Sequence, residues 1–112
     1  MTSIVVSAYN NGKFWETGSG YGFRIKNSEV KKNSKLLVPE IFITLDKKFK
    51  NIKVSINQDS VLYGEHVIFT KKEIGRWLIE NGNKEWNERH PPKFTMQHVG
   101  ENFFVIEKNS TG

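Results

Sequence analysis

Basic and aromatic side chains are the residues through which this chain could do chemistry, and they fall in three sets. Lys13, Trp15, Tyr21, Arg24 and Lys26 intermix in the N-terminal third, beside Asn10 and Asn11. Lys47, Lys48, Lys50 and Lys53 cluster in the middle. Arg76, Lys84, Trp86 and Arg89 surround the end of an expected helix, with His90 in the loop beside Pro91-Pro92. Lysine and arginine neutralise phosphates, and exposed aromatic rings stack on bases, so this interleaving points to a phosphate-bearing ligand. The plainer reading is that Trp15, Trp77 and Trp86 anchor a core while the lysines solvate a hairpin tip. Trp77 is assigned to the core, because it sits on the apolar stripe of the helix.

Other chemistries find less support. Gly18-Ser-Gly20-Tyr-Gly22 invites a phosphate-cradle reading. It lacks the Lys-Ser/Thr of a P-loop and is followed by a strand pattern where the dinucleotide fingerprint needs a helix. Strand and turn glycines under a close backbone are the simpler account. His66, His90 and His98 are too scattered for a metal motif, and the chain has no cysteine to complete one. Two histidines would suffice for acid–base cleavage of RNA, but His98 lies on the Phe94/Met96 face and reads as a core or rim residue. No catalytic residue, metal ligand or cofactor is assigned.

Composition narrows the class. The 112 residues suffice for one domain, expected over 1–108 with a frayed tail at 109–112. Aromatics make up 12%, which favours a packed core over disorder. No apolar run approaches the ~18 residues that span a membrane, and the N-terminus lacks a signal-peptide pattern, so a cytoplasmic protein without a membrane partner is the default. Net charge is +5. The excess sits in residues 1–35, which hold six Lys/Arg against two Glu. That asymmetry favours an anionic partner, although +5 also serves simple solubility.

The elements that must position these residues are read from periodicity. Ile4-Val5-Val6 opens a strand that ends at the turn signal Asn10-Asn11-Gly12. A second strand runs from Tyr21 to Lys26, and Asn27 to Lys35 is a loop or one short helix. Glu40–Asp46 and Asn51–Asn57 alternate as a hairpin around Lys47-Lys48-Phe49-Lys50. Val61–Tyr63 and His66–Phe69 read as short extended pieces. Thr70-x-x-Glu73 has the form of a capping box. Ile74, Trp77 and Leu78 then fall on one face, and Asn81-Gly82 supplies a left-handed stop, giving a helix at about residues 71–81. Gly75 inside it implies close backbone packing. Lys93–Val99 and Phe103–Ile106 close the domain around Gly100-Glu101-Asn102. Ile41, Ile43, Ile52, Val54, Ile56, Ile74, Trp77, Leu78, Phe94 and Phe104 are the expected core. The result is an α+β domain, mainly antiparallel, a half-open pseudobarrel of about seven strands plugged at one end by its principal helix.

The pieces Arg76-Trp77-Leu78-Ile79-Glu80-Asn81-Gly82, Lys93-Phe94-Thr95-Met96 and Phe103-Phe104-Val105-Ile106 resemble the B3-type DNA-binding pseudobarrel of plant transcription factors and some restriction enzymes. The likeness covers about a third of the chain and implies a DNA-binding barrel. It departs at Asn83–Pro92, where that family has a short turn. The family's DNA-contacting loops lie in its N-terminal half, so no base-reading residue carries over. Tyr9-Asn10-Asn11-Gly12, Gly18 to Ile25, Glu73 to Leu78 and Pro91-Pro92-Lys93-Phe94 also look like a group of small uncharacterised bacterial and phage-like proteins, which brings no activity.

The functional expectation is a non-enzymatic binding module for nucleic acid, in the first place DNA. Its ligand-binding residues would be Asn10, Asn11, Lys13, Trp15, Tyr21, Arg24, Lys26, Trp86, Arg89 and His90. One alternative is a phage or mobile-element protein that sequesters a small nucleotide. Its pocket of Asn10, Asn11, Trp15, Tyr21, Arg24 and Trp86 would lie in one protomer or at a homodimer seam. A small RNase-like enzyme using His90 or His66 and a protein–protein inhibitor stay open beside it.

Overall fold

The computed structural model describes residues 2–108; the expected frayed tail lies outside the described residues. Seven strands form one sheet: β1 (Ser3–Asn10), β2 (Tyr21–Ile25), β3 (Glu40–Thr44), β4 (Ile52–Ser55), β5 (Val67–Thr70), β6 (Lys93–Gly100) and β7 (Phe103–Lys108). Their spatial order is β4-β3-β7-β6-β1-β2-β5. Five neighbouring pairs are antiparallel, and β3–β7 alone is parallel. The outer strands β4 and β5 approach one another without forming a ladder, so the sheet curls into a barrel with one gap. The α+β pseudobarrel is therefore the observed architecture.

Alternation builds the wall. Ile4, Val6 and Ala8 of β1, and Tyr21, Phe23 and Ile25 of β2, point inward and are buried. All ten residues expected in the core are buried. Helix α3, the longest helix described (Lys72–Glu80), delivers Ile74, Trp77 and Leu78 into the barrel. The Trp77 ring lies 5.0 Å from that of Phe94 and 6.4 Å from that of Phe23. The helix ends as its sequence dictates: Gly82 takes φ +82°, and the amides of Gly82 and Asn83 bond back to Ile79 and Leu78.

Two local expectations are corrected. Thr70 does not cap α3. It is the last residue of β5, paired with Gly22, and the N-cap position falls to Lys71 with no side-chain bond. The ladder claims Thr70 because Lys71 N–H also bonds to Tyr21, carrying the strand one residue too far for the box to form. Residues Val61 and Leu62 are not extended. They belong to the short helix α2 (Gln58–Leu62), whose N-cap Asn57 accepts the Ser60 amide at 3.1 Å. β1 ends at the expected turn, where Gly12 takes φ +106° and its amide bonds to Asn10 Oδ1. Asn10 pairs with Tyr21, so a ten-residue loop separates β1 from β2. The open choice at 27–35 resolves to helix α1 (Asn27–Lys32) and a 3-10 turn, Ser34–Leu36. Glu29 of α1 accepts the Val5 amide at 2.7 Å, satisfying β1 just beyond its pairing with β2.

Candidate nucleic-acid interface

The β1–β2 loop and the segment from α3 to β6 pack together at one end of the barrel. Phe14, Tyr21 and Trp86 meet edge to face, with centroids 5.5–6.0 Å apart. The Tyr21 hydroxyl donates to the Lys84 carbonyl at 2.5 Å, and Lys84 pairs with Glu16 at 3.3 Å. Burial of the Tyr21 phenol, and next the Glu85 carboxylate, raise its pKa above the ordinary tyrosine value. Glycines set the loop on its neighbours. A Cβ on Gly18 would stand 2.3 Å from the Lys72 carbonyl oxygen, one on Gly20 2.6 Å from Asn11 Oδ1, and one on Gly22 1.8 Å from the Phe69 carbonyl oxygen. The Gly-x-Gly-x-Gly run thus serves close backbone approach, not a cradle.

This packing sorts the ten expected ligand residues. Lys13 and Trp15 face outward on either side of the inward Phe14. Trp15 is 52% exposed, with Lys13 Nζ 5.7 Å from its ring centroid. Arg89 and His90 are exposed in the second loop, where Asn87 accepts both of their amides. Trp86 is half-buried against the core. Asn10 is half-buried and its Oδ1 accepts the Gly12 amide; Asn11 is exposed beside Gly20. Tyr21 is fully buried and presents no face to a ligand. Arg24 is exposed on the opposite face of β2 from Tyr21, and Lys26 lies beyond the far end of β2 as the N-cap of α1. Of the six residues expected in a nucleotide pocket, Tyr21 and Arg24 thus lie on opposite faces of β2.

The histidines are also separated. His66 precedes β5 at the end of the barrel marked by Ile25, whereas His90 belongs to the end marked by Asn10 and Tyr21. The length of β2 puts them roughly 15 Å apart, beyond joint acid–base work. His98 sits on the rim, its ring against Phe104 and its Nε2 2.7 Å from the Glu101 carbonyl oxygen.

Electrostatics pick out a different surface from the loops. The two loops carry Lys13, Lys84 and Arg89 against Glu16, Glu85 and Glu88, so they have no net charge. The outer face of β6-β1-β2-β5 is unbalanced. Lys93, Ser7, Arg24 and Ile68 lie in register across its four strands. Beside them point Thr95, Val5, Tyr9 and Thr70, and these four strands contain no acidic residue. Arg24 makes no ion pair among the described residues. The lysine hairpin is less available, since Lys48 pairs with Glu80 and Lys53 with Glu40, each at 2.6 Å. Lys93 and Ser7 were not legible as site residues, because their place beside Arg24 depends on the β1–β6 register. The only local signal was the alternation that turns Lys93, Thr95 and Gln97 away from Phe94 and Met96.

Two surface grooves lie elsewhere. One of about 510 Å³ is lined by Val99, Phe103, Val105 and Asn51; the other, of about 310 Å³, lies between Arg76, Glu80 and Lys48 over Phe49 and Ile79. None of the ten expected residues lines either groove. Among the described residues, no helix is long and apolar enough to cross a membrane. Compared with known proteins, the chain matches no family model, no curated protein and no solved structure.

Proposed function

We propose that this chain is a nucleic-acid-binding module that receives the phosphate backbone on the outer face of β6-β1-β2-β5. The observation that carries the reading is the row Lys93–Ser7–Arg24–Ile68 on four strands without a single acid. Lysine and arginine neutralise phosphates, and the hydroxyls of Ser7 and Thr70 supply further hydrogen-bonding groups of the kind that contact phosphate. Trp15 is exposed on the β1–β2 loop, with Lys13 beside its ring.

The test is charge reversal at two places. Anisotropy titrations of labelled oligonucleotides would compare Arg24→Glu with Lys50→Glu on the hairpin tip. Arg24→Glu should weaken binding by tenfold or more, while Lys50→Glu, which changes net charge equally, should have a small effect. Equal losses would mean that only overall charge matters, and the assigned face would be wrong.

A further inference from the structure

We infer that the nucleic acid is bound as a single strand, with one base stacked on Trp15. The inference rests on the nucleic-acid reading and adds the form of the ligand. Trp15 is the starting point, because its ring is half-exposed while the loop that carries it is anchored. Its neighbour Phe14 makes the packing contacts, with rings at 5.5 Å and 6.0 Å from Trp86 and Tyr21. The loop is fixed on both sides of the ring. Trp15 C=O accepts the Gly18 amide at 3.0 Å, Asn11 N–H donates to Gly20 at 3.1 Å, and Glu16 holds Lys84. The indole is therefore presented, not mobile by default, and Lys13 beside it supplies a cation for the phosphate of a stacked nucleotide.

A duplex would make poor use of this arrangement. Its base faces are covered by stacking, and proteins read its base edges with an element inserted in a groove. The described helices do not offer one. α1 and α2 have six and five residues. α3 buries Ile74, Gly75, Trp77 and Leu78, leaving exposed Lys72, Glu73, Arg76 and Glu80, half of them acidic. Four strands that carry cations and no acid, together with one exposed ring on the β1–β2 loop, instead offer what a single strand requires, a track for phosphates and a platform for a base.

The experiment compares oligo(dT), oligo(U) and a blunt duplex of equal length, using wild type, Trp15→Ala and Trp15→Phe. Trp15 is exposed, so both variants should fold, and circular dichroism would check this. Single strands should bind about tenfold or more tighter than the duplex, and Trp15→Ala should remove about tenfold of that affinity while Trp15→Phe keeps part of it. The relative strength of the two single strands states whether DNA or RNA is preferred. Duplex binding as tight as single-strand binding, or a Trp15→Ala variant that keeps its single-strand affinity, would overturn this inference and leave the nucleic-acid reading intact. No binding of any of the three at low salt would overturn both.

Discussion

Gly18 and Gly75 meet backbone to backbone: a Cβ on Gly75 would stand 2.3 Å from the Gly18 carbonyl oxygen. This contact fastens the loop that carries Trp15 to the helix that fills the barrel. Alanine in a helix interior ordinarily gains about 1 kcal/mol over glycine. Here the clash is with main chain, which no rotamer change relieves, so Gly75→Ala should instead destabilise by roughly 1–3 kcal/mol. Chemical denaturation would measure it, and an unchanged or raised midpoint would show that the loop and helix are not so closely joined.

Trp77 is the largest side chain in the core and is 0% exposed. Its indole N–H is buried without an acceptor among the described residues, so its contribution is packing against Phe23 and Phe94. Trp77→Ala should cost about 3–5 kcal/mol, much of the stability of a domain this size. Trp77→Phe should cost less, because it keeps an aromatic ring and removes the unpaired donor. Equal losses in the two variants would contradict that account.

The caps separate sequence pattern from structure. Asn57→Ala removes the side chain that accepts the Ser60 amide and should cost ~1 kcal/mol. Thr70→Ala, exposed and without a capping bond, should stay within about 0.5 kcal/mol of wild type. Thermal melts of both variants would reverse this account if Thr70→Ala proved the more damaging.

Tyr21 links the loop end to pH. Its raised pKa means that the folded state prefers the neutral phenol. That contribution is fully present below the unfolded tyrosine value near pH 10 and is lost as pH rises from there through the folded value. Wild type should therefore lose stability above about pH 10 more steeply than Tyr21→Phe. At neutral pH the variant should be about 0.5–1.5 kcal/mol less stable, through loss of the bond to Lys84. Parallel alkaline unfolding curves would remove Tyr21 from the pH response.

Much of this fold was legible because the signals were periodic. Alternation in Ile52–Ser55 and Lys93–Gly100, and the Ile74/Trp77/Leu78 stripe, each specify an inward face whatever their partners. Gly75 announced a close contact but could not name Gly18. Pairing was not legible, since the parallel β3–β7 ladder and the β1–β6 register are long-range choices made by core packing. The same limit governed the site. Arg24 and Trp15 stood out by type, Tyr21 looked equally suitable, and only the inward turn of alternate β2 residues separates Tyr21 from Arg24. Lys93 could join them only once the strand order was known.

On the proposed function, phosphates are neutralised on the face bearing Arg24 and Lys93. The most direct measurement is the salt dependence of oligo(dT) affinity for wild type and for Arg24→Ala/Lys93→Ala. Wild type should show log K falling linearly with log salt, and the double variant should show a slope shallower by roughly 0.7 for each lost phosphate contact. An unchanged slope in a folded double variant, or no binding by wild type at low salt, would contradict the account.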